Sequence, residues 1–133
     1  MIVIDASSLA KYILRESNWD KVREYLAEES LSLTLAMAEV SNAIWKHYVI
    51  YNEISYEEAG IMFDALKKLK NVVVFEQFEK YLDEAMKIST KERITVYDAL
   101  YLAQAKKLGG FLTSDEKQWE VAKKIGINAE FVE

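Results

Sequence analysis

Cysteine and proline are absent from the 133-residue chain, and histidine occurs only once. Without cysteine there is no disulfide, no thiolate zinc site and no sulfur nucleophile, a composition suited to the reducing cytoplasm. A single histidine excludes the HExxH zinc pattern and any acid/base pair of imidazoles. Any metal centre must therefore be built from oxygen ligands, which favours Mg²⁺ or Mn²⁺ over Zn²⁺. Glycine is also scarce, with four in the chain, so no flexible linker or low-complexity tract is expected, and residues 1–133 read as a single domain. No apolar run approaches the ~18–20 residues that span a bilayer. Met1-Ile-Val-Ile-Asp5 lacks a basic leader and meets an acid too early for a signal peptide. Cations are outnumbered, 17 Lys and Arg against 22 Asp and Glu, and the net charge of −5 argues against a protein that coats nucleic acid.

What is present alternates between two patterns. Short apolar, β-branched runs at Ile2–Ile4, Leu31–Leu35, Val72–Phe75, Phe111–Thr113 and Ala129–Val132 predict strands. Helical spacing lies between them. It marks Lys11–Leu14, Trp19 to Leu26, and a third helix through Val40, Ala43, Ile44 and His47 that Asn52 ends. A fourth opens on the capping box Ser55-Tyr-Glu-Glu58, and further helices cover Tyr81–Ile88, Asp98–Leu108 and Trp119–Ile125. Gly109-Gly110 and Gly126 fall where helices should stop. This alternation predicts an α/β fold of three layers, αβα, with a central, mainly parallel sheet of four to five strands. Val72–Phe75, with no polar alternation, is expected to be buried on both faces. In such sheets ligands bind beyond the carboxyl ends of the strands, where the strand order reverses.

Acids fall at those ends. Asp5 follows the first strand, Asp115 comes two residues after Leu112-Thr113, and Glu39 is expected in the first turn of the helix after Leu31–Leu35. Asp98 opens the helix Tyr97–Ala103. Singly, each is explained as a helix cap or a first-turn acid favoured by the backbone dipole. Together, four carboxylates on one edge would repel strongly unless a divalent cation neutralised them. Such a site would set a water against a phosphodiester.

Val3-Ile-Asp-Ala-Ser-Ser8, Glu39-Val-Ser-Asn42, Thr95-Val-Tyr-Asp-Ala-Leu-Tyr-Leu-Ala103 and Leu112-Thr-Ser-Asp115 resemble the successive motifs of PIN-domain nucleases. Length and whole-chain coverage make the sequence most similar to the VapC toxins of toxin–antitoxin pairs. The resemblance implies an endoribonuclease dependent on Mg²⁺ or Mn²⁺, with Asp5, Glu39, Asp98 and Asp115 as catalytic and metal-binding residues. It also implies a cytoplasmic homodimer held in check by a cognate antitoxin. Ser7, Asn42 and Thr113 match polar positions near such sites, with supporting roles. A PIN nuclease of RNA processing or decay, without an antitoxin, has the same chemistry. A catalytically silent partner-binding domain is the non-enzymatic alternative, and the intact set of four acids argues against it.

Helical spacing adds three cations. Lys11 and Arg15 share a face with Ser7, and Lys46 shares one with Glu39 and Asn42, so all three are candidate contacts to RNA phosphates. Lysine pairs 67–68, 106–107 and 123–124 sit at helix C-termini, where cations suit the dipole. His47 is expected to pack or face solvent. Of Trp45, Tyr48, Val49, Tyr51 and Ile54, core packing against the fourth helix should take most, and any surplus would serve a dimer or antitoxin surface. A receiver domain wants paired acids after the first strand and an acceptor Asp after the third, where this chain has Phe75-Glu76. A haloacid-dehalogenase-type phosphatase wants Asp-x-Asp where it has Asp5-Ala6-Ser7.

Overall fold

A computed structural model describes residues 1–133. In chain order the elements are β1 (Ile2–Ile4), α1 (Ala6–Leu14), α2 (Trp19–Leu26), β2 (Ser30–Leu33), α3 (Thr34–Trp45), α4 (Tyr56–Lys68), β3 (Val73–Glu76), α5 (Leu82–Glu92), α6 (Val96–Leu108), β4 (Gly110–Thr113), α7 (Glu116–Lys124) and β5 (Asn128–Phe131). The five strands form one sheet in the order β3-β2-β1-β4-β5, and every pairing is parallel. The chain steps outward in one direction through β1, β2 and β3, then crosses back to β4 and steps the other way to β5. Right-handed crossovers therefore put α1–α4 on one face and α5–α7 on the other. The two apolar layers close on the central strands: Val3, Ile4, Leu33, Phe111 and Leu112 are buried, as are Leu9, Val40, Leu66 and Leu102 from the helices.

Several boundaries depart from the sequence expectation for local reasons. Thr34 and Leu35 belong to α3, not to the preceding strand, because α3 starts without a side-chain cap after Leu33. Glu39 consequently sits in the second turn of α3. Asp5, Thr95 and Asp115 are N-caps of α1, α6 and α7, so these helices begin earlier than their apolar spacing shows. The Ser55–Glu58 capping box is complete, Asn52 adopts a left-handed backbone after a π-helical turn at Lys46–Ile50, and Gly109 and Gly126 take positive φ at helix ends.

Two expectations about burial fail. β3 is an edge strand, and Val74 is 62% exposed; an uninterrupted apolar run says nothing about which strand lacks a neighbour. Trp45, Tyr48, Val49 and Tyr51 are exposed rather than buried against α4, and only Ile54 of that group packs on the core. Tyr48 and Val49 lie in the π-helical turn itself, where the helix widens and the 3.6-residue spacing no longer holds, and Trp45 and Tyr51 flank it.

Candidate active site

β1 and β4 lie side by side at the point where the strand order reverses, so the crevice beyond their carboxyl ends is the natural site of this fold. Asp5 occupies it. Its Oδ1 accepts from the Ser7 hydroxyl at 2.6 Å and from the Ser8 backbone N–H at 3.2 Å. Its Oδ2 accepts from the Thr113 hydroxyl at 2.6 Å. The turns after β1 and β4 are further laced by Ser114 N–H to Ser7 Oγ at 2.9 Å, by the Ser8 and Ser114 hydroxyls at 2.8 Å, and by Asp115 N–H to Thr113 Oγ1 at 3.1 Å. Burial pushes the Asp5 carboxyl up to about 6; the bonds from Ser7, Thr113 and Ser8 oppose the rise and the charge of Asp115 adds to it.

The other acids arrive from separate elements. Glu39, on α3, accepts from the Tyr101 hydroxyl at 2.6 Å. Burial raises its pKa, the Tyr101 bond lowers it and the charge of Asp98 raises it again. Asp98 stands in the first turn of α6, its N–H capped by Thr95 Oγ1; burial and then the charge of Asp115 raise its pKa. Asp115 caps α7 through the Gln118 N–H at 3.1 Å. Gln118 also sends its side-chain amide to the Asp98 carbonyl at 2.8 Å, joining α7 to α6. Asp98 and Asp115 line one groove of about 220 Å³ with Arg93, Thr95, Lys117 and Gln118. Repulsion thus links Glu39 to Asp98, Asp98 to Asp115 and Asp115 to Asp5. Tyr101 feels three of the four, and burial together with Glu39 drives its phenol far above the usual range.

In their present rotamers no three of these carboxylates close on one point tightly enough to chelate an ion. The donor set nonetheless suits a hard cation: it is all oxygen, strongly anionic and partly desolvated. Mg²⁺ is commonly held by one or two carboxylates with water completing the shell, so it needs no cage of three.

The remaining expected residues separate. Ser7 and Thr113 grip Asp5. Asn42 lies exposed one turn after Glu39 on α3. Lys11 is buried, its ammonium bonded to the Ser17 carbonyl at 3.1 Å. Arg15 lies over the rings of Tyr12 and Trp19, at 4.6 and 4.1 Å, and bonds the Tyr12 carbonyl. Lys46 is exposed at the start of the π-helical turn. His47 bonds Glu53 at 2.7 Å. Sequence spacing held unused signals for residues now seen in the network: Tyr101 is one turn beyond Asp98, and Asp115-x-x-Gln118 is a capping-box pattern. Ser8 and Ser114 carried no signal of their own.

Residues 2–124 match the PIN domain. The chain belongs to the PIN-domain family. Among its relatives, a Pyrobaculum aerophilum protein named Ribonuclease VapC3 is 31% identical over 119 residues, which is 88% of this chain and 90% of the relative. A second protein of that organism, named Exonuclease VapC9, is 30% identical over 129 residues, 96% of this chain and 90% of its own length. The crystal structure of PAE2754, also from P. aerophilum, superposes with a TM-score of 0.68 at 27% identity, covering 96% of this PIN domain and 87% of that chain. Mycobacterium tuberculosis VapC20, described as a toxin that cleaves the sarcin–ricin loop, shares the fold at a TM-score of 0.68 and 14% identity, with 96% of each chain covered. Within the family, the chain resembles the VapC branch.

Proposed function

We propose that this PIN domain is a metal-dependent endoribonuclease, the toxin of a toxin–antitoxin pair, acting in the cytoplasm. The observation that carries the nuclease reading is Asp5 at the sheet's switch point, gripped by Ser7, Ser8 and Thr113, with Thr113 bonded on to Asp115, which lines one groove with Asp98. Asp5, Glu39, Asp98 and Asp115 would hold Mg²⁺ or Mn²⁺, which when bound supplies Lewis-acid stabilisation and a water acidic enough to attack phosphorus near neutral pH.

The chain's own contribution is positioning. Ser7, the Ser8 N–H and Thr113 fix Asp5 in one orientation, so its lone pairs are aimed before any substrate arrives. Tyr101 does the same for Glu39. Thr95 and Gln118 lock the first turn of α6 against α7, which sets Asp98 beside Asp115. Asn42 remains a proposed supporting residue and Lys46 a proposed phosphate contact, since both lie open on the helix that carries Glu39. Lys11 and Arg15 already have partners within the chain, so a phosphate would have to compete for them. For protein partners, a second copy and a cognate antitoxin, the open aromatic face around Trp45, Tyr48 and Tyr51 is the proposed contact.

One assay tests the activity and its mode. Linear and covalently circular RNA are incubated with Mg²⁺ or Mn²⁺, with and without chelator, beside Asp5→Asn and Asp98→Asn. Cutting of both substrates, abolished by chelator and reduced at least ~100-fold in both variants, is the expected result. Cutting of linear RNA alone would replace the endonuclease reading with an exonuclease. Full activity in both variants would remove the four-acid site.

A further inference from the structure

Cations that repel a helix dipole or strain a backbone need a reason to be where they are. Lys117 lies in the first turn of α7, where a positive charge opposes the dipole. Arg93 ends α5 with φ at +58°, a left-handed conformation that favours glycine or asparagine. Neither takes part in any of the chain's ion pairs. Both line the groove that holds Asp98 and Asp115. Arg15 has the same left-handed backbone but is explained by its stacking on Tyr12 and Trp19. Arg93 has no such partner.

A second, larger hollow of about 650 Å³ is bounded by the same three helices, with Lys87, Lys91 and Glu92 on α5, Lys106 on α6 and Lys124 at the end of α7. Between them the two hollows collect six of the 17 cations, although the chain as a whole is acidic. Lys91, Lys106 and Lys124 lie in the last turns of their helices, where cations suit the dipole, and two of them are paired: Lys106 with Glu84 at 3.0 Å, and Lys124 with the enclosed carboxylate of Glu92 at 2.8 Å. Lys87, Lys91, Arg93 and Lys117 are exposed and make no ion pair. From Lys117 to Lys124 the path follows α7 for about 10 Å at 1.5 Å per residue.

We infer that the cleft between α5 and α7 is a track for the single-stranded RNA backbone on one side of the scissile phosphate, with Arg93 and Lys117 positioning the strand at the acids. Lysine-rich and without a stacking platform, it would hold phosphates without reading bases. An acidic peptide is the competing occupant, but its carboxylates would meet Asp98 and Asp115 at one end with no reaction to draw them there. The inference rests on the nuclease reading.

To test it, a fluorescent single-stranded RNA is titrated with Asp98→Asn protein in Mg²⁺ by anisotropy, at several salt concentrations. The same titration follows in the background of Arg93→Gly, Lys117→Gln, Lys87→Gln and Lys91→Gln, singly and together. Glycine suits the backbone at position 93, so Arg93→Gly should leave the melting temperature unchanged or raised while weakening RNA binding. Each lost phosphate contact should flatten the plot of log K against log salt by about 0.7, and the combined variant should bind at least ~10-fold more weakly. In the protein with Asp98 intact, Arg93→Gly and Lys117→Gln should raise KM more than they lower kcat. Unchanged affinity and slope in the combined variant would overturn the track, as would no RNA binding by the Asp98→Asn parent, or tighter binding of an equally charged poly-glutamate. Continued metal-dependent cleavage in any of those cases would leave the nuclease reading standing, while its absence would remove both.

Discussion

Asp5 is buried at 4% exposure, yet it is ringed by donors. As a cap it needs only the Ser8 N–H; the Ser7 and Thr113 hydroxyls, which aim both oxygens, go beyond what capping requires. The sequence pattern identified the acid and both hydroxyls, because all three lie in short motifs beside strands. It missed Tyr101, whose bond to Glu39 joins residues 62 positions apart, a separation at which no periodicity operates. Tyr101→Phe keeps the packing and removes that bond. It should lower RNA cleavage by about 10-fold and stability by about 1 kcal/mol, read from turnover and thermal melts. Cleavage at the parent rate would show that Glu39 needs no second support. Arg15→Ala, by contrast, should lower the melting temperature through lost stacking on Tyr12 and Trp19 and leave RNA affinity intact. A fall in affinity with no change in melting would restore Arg15 as a phosphate contact.

At the scale of elements, helix starts were legible where a polar side chain caps them and illegible where none does. Ser55 announces α4, and the structure holds both halves of its box: Ser55 N–H to Glu58 at 2.9 Å and Glu58 N–H to Ser55 at 3.0 Å. Ser55→Ala should therefore cost about 1 kcal/mol of stability, measured by denaturant midpoint, with cleavage unaffected because α4 carries none of the acids. Leu33 caps nothing, so apolar spacing alone starts α3 two residues late and puts Glu39 in its first turn instead of its second. The error did not disturb the site, since a turn along α3 still faces α6. The aromatic run from Trp45 departs from its expected burial for a different reason. Helical spacing assumes 3.6 residues per turn, and the π-helical turn at Lys46–Ile50 breaks that count.

For the whole molecule, the number of strands and their alternation with helices follow from composition and period, whereas the position of β3 at an edge depends on crossovers that no local pattern encodes. The same assembly sets a pH dependence. Asp5 at about 6, with Glu39 and Asp98 also raised, binds protons more tightly folded than unfolded. Ionisation of Asp5 therefore works fully against the fold above about pH 6, and that penalty is relieved as pH falls through 6 towards the unfolded value near 4, with Glu39 and Asp98 acting in the same direction. For Asp5 alone this amounts to roughly 3 kcal/mol. Glu76 runs the other way: burial raises its pKa, but bonds from Lys80, Tyr81 and Gln104 outweigh it and hold the carboxyl low, so its contribution is lost only in stronger acid. In chelator, the melting temperature should rise from about pH 7.5 to about pH 5, and Asp5→Asn should flatten the rise. Millimolar Mg²⁺ or Mn²⁺ should recover the difference at neutral pH in the parent and much less of it in Asp5→Asn. A parent profile that falls steadily on acidification, indifferent to the cation, would show that these carboxylates are not coupled to folding as described.

The order β3-β2-β1-β4-β5 also governs when the surroundings of Asp5 are assembled. β1 leaves the ribosome first, but its neighbour β4 is built from residues 110–113, and the bond from Thr113 to Asp5 spans 108 positions. Long-range parallel pairing of this kind is slow and comes late in folding. A nascent chain that has not yet delivered Thr113 lacks the hydroxyl that aims Asp5, and it lacks Asp115 altogether. The pocket around Asp5 is thus among the last features of the fold to be completed, although Asp5 itself follows the first strand.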